Sequence, residues 1–250
     1  MKIISEPSGI RPAWLQYYER LTDRMAKGLP KLGSFLEVGA GTGQFTVLLA
    51  QHRPRCRIVA LDRFAPPYEN DRRILAATIG KHRLKDRIQI AAGDYLDWMR
   101  QQSNAIFDSV ISCDFVAEID SKGLRKFITE CYRLLKTRGV TVHAFLSTNA
   151  ANNRQKRLIE ADSNPNWTND PPLEWFSPNE ALVIKNLRIA GFRKVHRGKV
   201  KSGLIFRSLG AKELLRSWSV KQSYWQKHRG NLETSGLEIP SFSFVYGTKT

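Results

Sequence analysis

The 250-residue chain carries 40 Lys+Arg against 23 Asp+Glu, a net charge of +17 with pI near 10.1, which bears on partners rather than on fold. At 42% hydrophobic and 10% aromatic residues it can bury a core and is too apolar for disorder, and its length suits a single domain with insertions. No run of about 18 apolar residues exists, which excludes a membrane-spanning helix; Cys56, Cys113 and Cys131 are odd in number and lack Cys-x-x-Cys spacing, which argues against a disulfide framework and a zinc site.

Met1 to Pro7 has no apolar signal core, so the expected setting is cytoplasmic. From Pro12 to Lys27, Trp14, Tyr17, Leu21 and Met25 recur on one helical face, and Gly28-Leu29-Pro30 ends that helix. A buried strand, Ser34 to Val38, then breaks into glycines at 39, 41 and 43 and resumes as a helix from about Gly43 to His52. Glycine permits positive φ in a tight turn and lets a ligand approach the backbone without meeting a Cβ. The spacing is Gly-x-Gly-x-Gly, neither the dinucleotide fingerprint nor a P-loop.

The second strand, Arg57 to Leu61, ends at Asp62, 19 positions past Gly43. That is close to the interval of roughly 20 residues at which a carboxylate meets ribose hydroxyls. A carboxylate suits the position because it accepts from two vicinal hydroxyls at once, and Arg63 and Phe64 follow where an adenine would be bordered. A basic helix from about Asn70 to Lys81 leads to strand three, Arg87 to Ala92, and to Gly93-Asp94-Tyr95. Asp94 is either an N-cap for the helix through Trp98, or a ligand contact, or both. Strand four, Phe107 to Ser112, runs on into Cys113-Asp114 and Glu118; a helix from Leu124 to Lys136 precedes Thr137-Arg138-Gly139 and strand five, Val140 to Phe145.

Ser147 to Phe176 is polar and rich in Asn, Asp and Pro. It is punctuated by Trp167 and Trp175, and reads as a cover or as a surface loop. Ser177-Pro178 starts a helix reaching Ala190-Gly191-Phe192. Strand six spans roughly Arg193 to Arg207, a helix-like segment Ala211 to His228, and strand seven Ser241 to Tyr246. Between Lys185 and Arg229 stand thirteen lysines and arginines and one acid, Glu213, with Trp218, Tyr224 and Trp225 interleaved. Such a stretch either cradles nucleic acid or forms a solvated cationic face.

Glu37-x-Gly39-x-Gly41-x-Gly43 with Asp62, the Asp108-x-Val110 strand, Leu134-Leu135-Lys136-Thr137-Arg138-Gly139 and Ala190-Gly191-Phe192 together resemble the class I S-adenosylmethionine-dependent methyltransferases over most of Ser34 to Phe192. Thr137 and Arg138 replace that family's usual Pro and Gly. Ala65-Pro66-Pro67-Tyr68 is not its adenine- or glutamine-specific signature, because it follows strand two and begins with alanine. The resemblance implies an α/β, doubly wound, seven-stranded and mostly parallel sheet with an antiparallel last strand. It also implies an N-terminal lid helix in 1–33, a cofactor-binding core in 34–148, an acceptor-side insertion in 149–177 and C-terminal strands with a basic insertion in 178–250.

By the same resemblance the cofactor is S-adenosyl-L-methionine, held by Glu37, Gly39, Ala40, Gly41, Gly43, Asp62, Arg63, Gly93, Asp94, Tyr95 and Cys113. Methyl transfer from a sulfonium is an in-line displacement in which the protein supplies position and, for some acceptors, a base. Glu118 and Asp114 are the expected catalytic contacts, where many relatives carry a histidine at the position aligned with Glu118. Tyr17 and His143 are further candidates near the reacting end, with His143 also readable as a core residue. Cys113, in Ser112-Cys113-Asp114, lacks the context of a cytosine-directed nucleophile. No histidine and carboxylate pair has ligand spacing, so no metal is expected. The expected partner is an acidic acceptor molecule, with RNA or an acidic protein surface as the alternative.

Overall fold

The computed structural model describes residues 12–65, 69–146, 180–200 and 242–250, and the side chains of all of these except 12–17 and 146. The expected insertion in 149–177, the second half of strand six, the helix-like segment Ala211 to His228 and the side chains of Trp14 and Tyr17 lie outside the described residues.

The elements follow one another as α1 (Pro12–Lys27), β1 (Leu32–Val38), α2 (Gln44–His52), β2 (Arg55–Asp62), α3 (Asp71–Lys81), β3 (Ile88–Ala92), α4 (Tyr95–Gln101), β4 (Phe107–Cys113), a short 3-10 turn (Phe115–Ala117), α5 (Ser121–Leu134), β5 (Leu135–Leu146), α6 (Glu180–Ile189), β6 (Arg193–Val200) and β7 (Phe242–Thr248). The strands form one sheet in the order β3-β2-β1-β4-β5-β7-β6. β1 to β5 run parallel, and β7 pairs antiparallel with both β5 and β6. The order reverses between β1 and β4, so the chain leaves a crevice at their carboxyl ends.

Alternation along the strands sends side chains to two cores. Phe35, Ile58, Ala60, Ile111 and Val142 pack with α1, α2 and α3. Leu36, Leu61, Val110, Phe145 and Val245 pack with α4, α5 and α6. Both faces of the sheet are therefore covered, which is why its central strands read as nearly continuous apolar runs.

The second half of α1 is fastened rather than free. Leu21, Thr22, Met25 and Ala26 are buried. The Tyr246 hydroxyl, 2.8 Å from the Met25 carbonyl and 3.0 Å from that of Arg24, and the Arg53 guanidinium, donating to the Ala26 carbonyl, engage acceptors of the helix's last turn, and Arg53 also donates to the Leu29 carbonyl just beyond it. At the opposite edge β6 is exposed and cationic, a pattern that discourages strand addition. Its Arg197 and Lys199 pair with the buried Glu180 at the start of α6. The Glu180 carboxyl also accepts from Ser243 and is held below the ordinary carboxylate range, because these partners outweigh the cost of its burial.

Around α5 and β5 the element boundaries differ from the sequence expectation. α5 begins at Ser121, where the Asp120 carboxylate accepts from the Gly123 N–H, and ends at Leu134 instead of Lys136. Leu135 is already extended, and β5 starts there through a bulge between the Phe107 and Ser109 pairings. Arg138 takes φ +66 in this bulge, the left-handed conformation that glycine tolerates best. Arg138→Gly is therefore expected to stabilise the protein by about 0.5–1 kcal/mol, since relief of left-handed strain exceeds the added freedom of the unfolded chain. An unchanged or lower urea midpoint would count against strain at this turn.

Candidate active site

A cleft opens at the carboxyl ends of the first four strands. Its walls are Val38 and Gly39 from β1, Leu61 to Ala65 from β2, Gly93 to Tyr95 after β3, and Phe115, Glu118 and Ile119 after β4. Of the residues expected to hold the cofactor, Gly39, Asp62, Arg63, Gly93, Asp94 and Tyr95 line it, as does the expected catalytic Glu118. Glu37, Ala40, Gly41, Gly43, Cys113 and Asp114 adjoin it in the chain at the ends of β1 and β4.

Asp62 organises the floor. Its Oδ2 accepts from the Gly41 N–H at 2.8 Å and its Oδ1 from the Phe64 N–H at 3.2 Å. The Gly39 and Ala40 N–H groups donate to the Leu61 carbonyl, and the Gly93 N–H to that of Asp62. The glycine turn is thus tied to the end of β2, and each Asp62 oxygen keeps acceptor capacity for a ribose hydroxyl.

The three glycines serve different ends. All have positive φ, but a Cβ on Gly39 would lie 2.6 Å from the Phe115 Cβ and one on Gly43 would lie 2.0 Å from the Leu75 Cδ1. Those two make room for the protein's own side chains. A Cβ on Gly41 would meet only the Asp71 Oδ2 at 3.9 Å, and one on Gly93 nothing within 4 Å. Gly41 and Gly93 are the positions with open space for a ligand.

Asp94 caps α4 through Oδ1 alone, accepting from the Leu96 N–H at 2.9 Å and the Asp97 N–H at 3.2 Å. Its other oxygen is not used in the cap, so capping and ligand contact are compatible. Phe115, which the sequence reading did not single out, stacks edge-on with Tyr95 and with Phe127, building an aromatic wall that continues to His143 in the core. Its signal was present only as an aromatic directly after Asp114.

The reacting end is acidic. Glu37 is 1% exposed and its Oε2 has no hydrogen-bond partner. Burial pushes its carboxyl up to about 8, and the charge of Asp62 adds to it. Asp114 takes φ +67, with its N–H donating to the Ala144 carbonyl at 2.8 Å. Its Oδ1 is buried without a partner, and burial raises the carboxyl to about 6. Glu118 stands at the exposed rim. Partial shielding of its carboxyl by the cleft walls raises it, with Asp114 and Asp62 adding and Arg63 opposing.

The side chain of Tyr17 lies outside the described residues; its neighbour Tyr18 is partly buried and packs against the core. Its phenol is raised well above its ordinary range by burial, and then by Cys113 and Asp114. The Cys113 thiol is pushed up by burial, Asp114 and Glu37, the reverse of what an attacking thiolate requires.

His143 is a core residue. Its Nδ1 lies 2.9 Å from the Ser112 Oγ and its Nε2 2.8 Å from the Thr141 Oγ1, while that Thr141 hydroxyl donates to the Val110 carbonyl. The Thr141 proton being committed, Nε2–H must donate and Nδ1 must accept. The ring is neutral in one tautomer, with burial holding it down to about 3.

These features fit an adenosyl amino-acid sulfonium. Asp62 has acceptor capacity that would suit a ribose, Phe64, Asp94, Tyr95 and Phe115 would border a base, and the buried Glu37 carboxyl would meet the cationic end. Comparison with protein families matches residues 35–139 to the family described as methyltransferase domain. Comparison with curated proteins gives no match.

Among solved structures, the S-adenosylmethionine-dependent methyltransferase SibL superposes with TM-score 0.60 at 18% identity, covering 95% of this chain and 55% of SibL. A SAM-dependent methyltransferase from Archaeoglobus fulgidus gives 0.62 at 14%, covering 94% of each chain. Phosphoethanolamine N-methyltransferase 2 of Haemonchus contortus, solved with S-adenosyl-L-methionine, gives 0.62 at 15%, covering 94% of this chain and 52% of that one. The chain therefore spans about half the length of SibL and of the Haemonchus enzyme; at these identities the likeness is one of fold. Residues 35–139 thus match a methyltransferase domain, and the sheet shares the α/β, Rossmann-like fold of the solved methyltransferases. S-adenosylmethionine is the cofactor of that class.

Proposed function

We propose that the chain moves the methyl group of S-adenosylmethionine to a nucleophilic atom of a small or medium-sized acceptor bearing anionic groups. The observation that carries the cofactor half is Asp62, fixed by the Gly41 N–H at the mouth of an open glycine turn. When bound, the cofactor supplies the electrophilic methyl carbon. The protein's own part is to hold the ribose at Asp62, the base among Phe64, Asp94 and Tyr95, and the amino-acid end by Glu37, Gly39, Ala40, Gly41 and Gly43, with Cys113 behind them. Arg63 closes the outer side. Asp114 and Glu118 meet the acceptor, with the proton affinity of Glu118 raised in the direction a general base requires.

The acceptor's anionic character rests on the net charge of +17. A second reading, an RNA acceptor, is favoured by the row of Arg193, Lys194, Arg197 and Lys199 along the exposed edge strand, beside Lys185 and Arg188 of α6. Three buried, unpaired cysteines accord with a cytoplasmic setting.

Calorimetric titration with S-adenosylhomocysteine, repeated with bulk tRNA across a salt series, tests both. Cofactor binding without RNA binding supports the small acceptor; steeply salt-dependent RNA binding supports the second reading. Absence of cofactor binding would overturn the assignment of the site. Glu118→Gln is expected to slow turnover with little change in cofactor affinity; unaltered turnover would make Glu118 structural.

A further inference from the structure

Although the protein is strongly basic, the acceptor end of the cleft is bordered by acids. The charges of Asp114 and Asp62 both reach Glu118, and that of Glu37 reaches Cys113, the residue before Asp114. Two of these acids carry a buried oxygen without a hydrogen-bond partner among the described residues, the Glu37 Oε2 and the Asp114 Oδ1. Arg63 is the cation that acts on Glu118 among the described residues. Burying unpaired carboxylates is costly unless a cation or a hydrogen-bond donor arrives to meet them. Glu37 sits at the end of β1, where the cofactor's amino-acid portion is placed, leaving Asp114 and Glu118 for the acceptor.

A carboxylate, phosphate or phenolate nucleophile brought to this end would face like charge at short range, whereas an ammonium would be drawn in. Resting on the methyl-transfer reading above, we infer that the atom receiving the methyl group is an amine nitrogen, which enters as an ammonium and is received by Asp114 and Glu118. Any anionic groups of the acceptor then stay outside, toward the basic surface.

The chemistry balances without a further reactant. The ammonium gives one proton to the Glu118 carboxylate, freeing its lone pair. That pair forms the nitrogen–carbon bond as the carbon–sulfur bond breaks, and the sulfur keeps the departing electron pair as a neutral thioether. The product leaves as a methylated ammonium, and Glu118 returns its proton to water.

The test uses two probes built on 5′-amino-5′-deoxyadenosine. Each carries an alkyl tail from the 5′ nitrogen along the path of the methyl group, one ending in an ammonium and the other in a carboxylate. Titrated into the intact protein at pH 8, the ammonium-tailed probe is expected to bind at least tenfold more tightly. Glu118→Gln and Asp114→Asn, each checked for unchanged S-adenosylhomocysteine binding, are expected to narrow that ratio to within about threefold. Equal binding of the two probes, a preference for the carboxylate tail, or an ammonium preference untouched by both substitutions would overturn the amine assignment. Loss of S-adenosylhomocysteine binding by the unaltered protein would instead overturn the methyl-transfer reading beneath it.

Discussion

Asp62→Ala is expected to weaken S-adenosylhomocysteine binding by more than tenfold and to loosen the glycine turn at the same time. In the intact protein the carboxylate accepts from the Gly41 and Phe64 N–H groups and keeps capacity for the two ribose hydroxyls. Hydrogen bonds to a charged group contribute about 1.5–3 kcal/mol each, and tenfold in affinity is about 1.4 kcal/mol. Loss of even one ribose contact therefore reaches the stated effect. Asp62→Asn separates the two roles. Its one carbonyl oxygen can still serve one loop N–H, while its amide cannot accept in place of the lost oxygen. Calorimetry on both variants should give an order with Ala weakest and Asn between. Alanine binding as tightly as the parent would mean that the ribose lies elsewhere.

Glu37→Gln should act in opposite directions on stability and on binding. The folded carboxyl, raised to about 8, holds its proton over a range where the unfolded chain, with an ordinary carboxyl, has lost it. The folded state then binds more protons than the unfolded one, so stability falls as pH rises between about 4.5 and 8, by up to about 1.4 kcal/mol per pH unit. Below that window the group is neutral in both states and the penalty is absent. Glutamine cannot ionise. The ligand-free variant should therefore unfold at higher urea than the parent at pH 8, by about 2 kcal/mol or more, and the two should converge near pH 4.5. Cofactor affinity should fall about tenfold, because a neutral amide no longer meets the cofactor's cationic end. Parallel stability profiles from pH 4.5 to 8 would refute the buried, proton-holding state of Glu37.

Both effects come from burial that the sequence did not display. Glu37 was recognisable as an acid two residues before a glycine, but its unpaired Oε2 depends on Thr46, Asp62 and the packed strand ends meeting around it. His143 was open between base and core until Ser112 and Thr141, on neighbouring strands, closed around both ring nitrogens.

By itself the sequence determined the alternation of strands and helices, the glycine turn and the acid at Asp62. Local rules govern these: apolar periodicity, the need for positive φ, and the fixed length of a strand–helix–strand unit. Arg138 shows the limit of such rules, since it adopts φ +66 where a residue-by-residue reading would ask for glycine. Only the tertiary structure decided which glycine faces a ligand and which faces Phe115 or Leu75, and that acids gather at the reacting end of a chain with net charge +17. Those are properties of surfaces brought together from distant positions, where burial and mutual charge set the energy of each group, and no local pattern encodes them.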